Sequence, residues 1–132
     1  MVAVRLSFAA MANGAESDSP RPRGGANGAE TAVELTIVTL RFDTTDPGAL
    51  LAVLSKYVVL TRMEPGCRNV DLCSSYTHPG RYLLIQKWDS PEAQRRHFDS
   101  PVMVEMATSC NGLLAAAPDI DLWDGPSAHD LR

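Results

Sequence analysis

The sequence predicts an α+β sandwich, one antiparallel four-stranded sheet with helices against one of its faces. Three observations carry this. From residue 31 onward, stretches with the two-residue apolar period of strands alternate with stretches at the 3.6-residue period of helices. Each helical stretch opens on a capping residue followed by proline, at Asp46-Pro47, Ser90-Pro91 and Ser100-Pro101. The resulting order, strand, helix, strand, strand, helix pair, strand, is the split βαβ arrangement of ferredoxin-like folds.

The first strand is Val33 to Phe42, VELTIVTLRF, rich in β-branched residues and largely apolar on both alternating faces, as a strand covered on two sides would be. The following helix has Asp46 as N-cap and Pro47 at its first position, with Leu50, Leu54, Tyr57, Val58 and Thr61 at helical spacing. It should end near Glu64, stopped by Pro65-Gly66. Cys67 to Tyr76 alternates well enough for a second strand, His78-Pro79-Gly80 makes a turn, and Arg81 to Trp88 completes a hairpin.

The Ser90-Pro91 helix is short and places Ala93 and His97 on one face. In the Ser100-Pro101 helix, Met103, Met106, Ala107, Cys110, Leu113 or Leu114, and Ala117 recur on one stripe, with Asn111-Gly112 as a point of interruption. Such a Met-rich stripe is the ordinary filling of a core. Asp119 to Asp124 alternates Ile120 and Leu122 against Asp121 and Trp123 and forms the last strand.

At 132 residues, 45% of them hydrophobic, the chain can build one core. Its parts are an N-terminal arm over 1–31, a folded domain over 32–125 and a loose tail over 126–132. The arm is dominated by Gly, Ala, Ser, Pro and Asn and should be disordered. Its first residues, MVAVRLSFAAMA, imitate a signal peptide, but their apolar stretch is split by Arg5, and a start assigned too early, with Met11 as initiator, explains them at least as well. A net charge of −4 argues against a nucleic-acid surface, and no apolar run is long enough to cross a bilayer. Cys67, Cys73 and Cys110 are an odd number without a CxxC pair, which reads as reduced, buried thiols in a soluble cytoplasmic protein.

Because the first and third strands are apolar on both faces, the sheet face away from the helices needs a cover, and a second copy of the chain is the simplest one. Burying a few hundred Å² of apolar surface there contributes roughly 5–10 kcal/mol before association costs. A homodimer is the expectation.

RMEPGC, Arg62 to Cys67, together with GRYLLIQKWDSPEAQRRHFDSP, Gly80 to Pro101, resembles the antibiotic biosynthesis monooxygenase family of dimeric α+β barrels. There a Glu-Pro-Gly-Cys turn precedes the second strand, the third strand ends in Trp, and a helix carries an Ala-x-x-x-His pattern. The resemblance implies a pocket between sheet and helices. In several members it also implies oxidation of phenol- or quinol-like substrates by O₂ with no metal, flavin or haem, so no cofactor is expected. Such chemistry needs a base and a dry aromatic wall. His97 is the candidate base, since imidazole accepts a proton near neutral pH, and Trp88 the candidate wall. Thr39, Arg41, Tyr57, Leu84 and Met106 are the candidate substrate-binding residues, with Arg41 and Arg62 alternatively solvated or salt-bridged.

Trp88 also fits as a plain core plug, and the Pro-Gly-Cys stretch as turn chemistry with a buried thiol. The haem-degrading branch of the family has an Asn, a Trp and an iron-ligating His at positions that fall on Thr39, Trp88 and Ala107, so only the Trp is kept and haem chemistry is not expected. The quinone-forming branch has an Asn four residues before the Trp, where this chain has Leu84. The alternative to an enzyme is a non-catalytic dimeric barrel that binds a small apolar ligand or acts as an interaction module.

Overall fold

The structure, a computed structural model, describes residues 35–126. The expected arm over 1–31 and residues 127–132 of the expected tail lie outside the described residues. The elements run β1 (Leu35–Asp43), α1 (Pro47–Arg62), β2 (Cys67–Ser74), β3 (Arg81–Trp88), α2 (Pro91–Phe98), α3 (Pro101–Ser109) and β4 (Asp119–Gly125). The four strands form one antiparallel sheet in the order β2-β3-β1-β4, the α+β arrangement the sequence predicts.

All three Xaa-Pro helix starts hold. The side chains of Asp46, Ser90 and Ser100 accept from the backbone N–H of Ala49, Ala93 and Met103, each satisfying a donor that the helix itself leaves open. One helix ends close to Glu64 as expected, and the other ends earlier than its periodicity implies. α1 stops at Arg62, with Met63 as C-cap, because the residue before a proline avoids helical geometry and Glu64 precedes Pro65. α3 stops at Ser109, and the chain turns at Gly112, φ +84°, so that Ala117 is exposed rather than on a buried stripe.

Register separates the two faces of the sheet. Thr36, Val38, Leu40 and Phe42 of β1 lie opposite Trp88, Gln86, Leu84 and Tyr82 of β3, and from Val38 to Phe42 these pairs are buried under the helices. Leu50, Leu54, Tyr57 and Val58 of α1, with Met103, Met106 and Ala107 of α3, close the core from above. Arg62 ties the end of α1 to the sheet by donating from Nη2 to the Val70 carbonyl at 2.7 Å.

The opposite face carries Ile37, Thr39, Arg41, Leu83, Ile85 and Trp123, with Trp123 53% exposed. No helix covers it. Cys110 is buried and Cys67 half-buried, but Cys73 lies exposed on this face, so the expectation of three buried thiols fails for Cys73: its place in the β2 alternation points it away from the helices.

Candidate functional site

Alternation along β3 aims Gln86 and Trp88 at the helices, and the chain then folds back within two residues to start α2. This return lays His97 over Trp88, with ring centroids 4.9 Å apart and planes inclined at 29°. Both side chains are buried, His97 at 1% exposure despite its neighbours Arg95 and Arg96, because it shares the inward face of α2 with Ala93.

A chain of hydrogen bonds runs through these residues. Trp88 Nε1–H donates to Gln86 Oε1 at 2.9 Å, and Gln86 Nε2–H donates to the Tyr57 hydroxyl at 2.9 Å. The Tyr57 hydroxyl meets His97 Nε2 at 2.5 Å, and His97 Nδ1 meets Glu64 Oε1 at 2.8 Å. Tyr57 also lies 3.6 Å from the Met103 sulfur, a weak acceptor. Thr61 Oγ1, one turn along α1, is buried without a hydrogen-bond partner.

Burial sets the protonation states. Loss of hydration pushes the Tyr57 phenol well above its ordinary value, so it stays neutral. Burial likewise lowers His97, against the opposing pull of its hydrogen bond and charge interaction with Glu64, so a neutral imidazole is the resting form at neutral pH. The surroundings of His97 hold one acid and no positive charge among its hydrogen-bonding partners.

Glu64 reaches His97 because of the turn it opens. Cys67 N–H bonds the Glu64 carbonyl, and Asp89 N–H, at the end of β3, bonds the Gly66 carbonyl at 2.8 Å. Gly66 has φ +85°, and a Cβ there would sit 2.5 Å from the Ala93 Cβ on α2. Glycine thus allows the turn and α2 to touch, which brings Glu64 and His97 together.

Beside this network, α1 and α3 diverge to leave a groove of about 210 Å³ lined by Ala52, Val53, Tyr57, Leu60, Val102, Met106 and Ser109. The exposed ion pair Lys56–Glu105, 2.8 Å, bridges the two helices across it. Tyr57 belongs both to the groove and to the hydrogen-bond chain. Among the described residues there is no helix long and apolar enough to cross a membrane, and no group of three His, Cys, Asp or Glu side chains placed to hold a metal ion.

The residues singled out from the sequence fall into separate places. Trp88, His97 and Tyr57 converge, and Met106 lines the groove next to Tyr57. Leu84 packs in the core on the same face of β3 as Gln86. Thr39 and Arg41 do not join them: they lie on the opposite face of the sheet, Thr39 accepting from Trp123 Nε1–H at 3.1 Å and Arg41 paired with Asp119 at 3.3 Å. Their odd positions on β1 put them out of phase with Thr36, the partner of Trp88. Thr39, Trp88 and Ala107 therefore do not form a common site.

Sequence reasoning missed Glu64 and Gln86. Gln86 had a signal, since it breaks the apolar row Tyr82, Leu84, Trp88 on one strand face and must find a buried partner. It also supplies, two residues before the Trp, the side-chain amide that Leu84 lacks. Glu64 belongs to no periodic element, and its one signal, the Glu-Pro-Gly-Cys stretch, reads as turn chemistry without pointing to a buried partner.

The profile of the antibiotic biosynthesis monooxygenase family matches residues 36–108. Among solved structures, the chain is similar to Rv0793 of Mycobacterium tuberculosis, with a TM-score of 0.63 and 27% identity over 67% of this chain and 92% of that one. It is also similar to candidate antibiotic biosynthesis monooxygenases of Nitrosomonas europaea (TM-score 0.66, 14% identity, 74% of this chain and 97% of that one) and Caulobacter crescentus (0.65, 17%, 78% and 99%). At those identities the likeness of the last two concerns the fold. No curated protein matches the chain significantly.

Proposed function

The chain belongs to the antibiotic biosynthesis monooxygenase family, and from that premise we propose that it oxidises a small phenol- or quinol-like aromatic with O₂, without a cofactor. The unit that does so is the domain over 32–125, working in the cytoplasm as a homodimer joined through the uncovered face of its sheet. The groove between α1 and α3 offers an apolar bed for a flat substrate, with Tyr57 and Met106 on its walls.

The observation that carries this reading is the 2.5 Å contact between Tyr57 and His97, which joins a wall of the groove to a buried, neutral imidazole. A substrate of this class reacts with O₂ once it has lost a proton and can give up an electron. Tyr57 takes that proton while passing its own to His97 Nε2. Trp88 fixes the imidazole by stacking and keeps water from it.

A second reading rests on an observation of its own. Trp88, Gln86, Tyr57 and His97 are buried and every one of their hydrogen-bonding groups is engaged, which is also what a core requires of polar side chains. On it the protein is a non-catalytic barrel that takes a small apolar ligand in the groove. Oxygen uptake with a panel of quinols and anthrone-type phenols separates the two. Turnover that drops at least tenfold in His97→Gln supports the enzyme; absence of turnover across the panel, with ligand binding retained, supports the barrel.

A further inference from the structure

The hydrogen-bond chain has chemically unambiguous ends. The Trp88 indole can only donate, and the Glu64 carboxylate can only accept. Starting from Trp88, Gln86 must present Oε1 to the indole and therefore its amide N–H to Tyr57. The Tyr57 oxygen thus accepts from Gln86 and its proton points to His97 Nε2. Starting from Glu64, His97 must present Nδ1–H to the carboxylate, which leaves Nε2 with a lone pair. Both ends of the chain thus place the shared proton on Tyr57 and the lone pair on His97 Nε2.

We propose that Glu64 both positions this site and ends its proton path: it holds His97 in the Nδ1–H tautomer, leaving Nε2 free to take the Tyr57 proton, and its carboxylate takes the Nδ1 proton in turn. This rests on the reading of Tyr57 and His97 as the proton acceptors of the reaction. In the other tautomer two acceptors, Nδ1 and Glu64 Oε1, would face each other at 2.8 Å. Nε2–H and Gln86 N–H would then both donate to the Tyr57 oxygen, and the phenol proton would be left with the Met103 sulfur.

Glu64 is also the member of the network that meets solvent, its side chain 18% exposed against 1% for His97. The transfer is balanced as one proton moved along the line. The substrate O–H gives its proton to the Tyr57 oxygen as the Tyr57 proton passes to Nε2 and the Nδ1 proton to Glu64. The substrate is left as its anion, and the carboxyl faces water.

Nitrogen-15 NMR of the full-length protein tests this without any substrate. The His97 signals, assigned by their loss in His97→Gln, should show a protonated Nδ1 and an unprotonated Nε2 at pH 7.5, and Glu64→Ala should give a mixture of tautomers. A wild-type Nε2–H tautomer overturns the proposal, and so does an unchanged tautomer in Glu64→Ala. In oxygen-uptake assays Glu64→Ala and the size-matched Glu64→Gln should lower kcat at least tenfold with KM within twofold; equal kcat in all three proteins overturns the role in turnover. If wild type shows the Nδ1–H tautomer but oxidises none of the panel, the monooxygenase reading fails while the tautomer assignment stands.

Discussion

The indole of Trp88 and the imidazole of His97 are stacked where β3 gives way to α2, 4.9 Å between centroids. The same indole is held edge-on by Gln86, so its plane is fixed by one contact and its rotation by another. Replacing it disturbs both.

Trp88→Phe keeps a ring but orphans the buried Gln86 Oε1 and leaves a void. A loss of about 2–4 kcal/mol is expected, read from urea unfolding at constant m. In a Trp123→Phe background, where Trp88 alone emits, the native spectrum should be blue-shifted as befits a side chain with no exposed surface; emission like that of free tryptophan would contradict the packing.

The lowered basicity of His97 has a sign that can be checked. Below its ordinary value of 6.5 the unfolded chain takes up a proton that the folded chain resists, so stability is lost as the pH falls through that value towards the lowered one. Glu64 opposes the shift without reversing it. The pull of Arg81 on Asp43 acts in a separate window, below the ordinary carboxyl value of 3.8. The melting temperature should therefore fall between pH 7 and 5 in wild type and fall less in His97→Gln; parallel curves would count against a depressed imidazole.

What the sequence made legible divides along physical lines. Helix starts were readable because Asp46, Ser90 and Ser100 act on backbone groups three residues away. Faces were readable within one element, by the two-residue period for Trp88 on its strand and by the 3.6-residue period for the stripe through Met103 and Met106 on its helix. Register between strands was not, because nothing local says that Trp88 faces Thr36 rather than Thr39. The same limit hid Glu64, whose meeting with His97 depends on the turn at Gly66 and the docking of α2 against it.

Gly66→Ala tests that docking. The substitution places a Cβ at 2.5 Å from that of Ala93 in a backbone region unfavourable to side chains. A cost of about 2–4 kcal/mol is expected, from a left-handed residue and an overpacked contact together. Adding Ala93→Gly should restore the packing share and leave the backbone share, so partial recovery in denaturant midpoint is the expected result. Full recovery would show that the turn itself carries no strain.

The uncovered sheet face gives the test of assembly. Ile85 lies at its centre, between Asp71 and Thr39. Ile85→Asp should halve the mass seen by sedimentation at micromolar concentration while leaving the far-ultraviolet spectrum unchanged. A monomeric wild type would remove the homodimer from the proposal.

Leu35, at the start of β1, lies directly opposite Gly125, at the end of β4. The two ends of the domain therefore leave it side by side, on neighbouring strands. A short linker can join them, and new ends can be cut in the turn between Ser74 and Arg81 without breaking a strand. Such a circular permutant would begin at β3 and keep Gln86, Trp88 and His97 on one continuous segment. Glu64 and Tyr57 would then arrive from the other half of the chain, so that the two sides of the proton path could be made as separate, recombinable pieces.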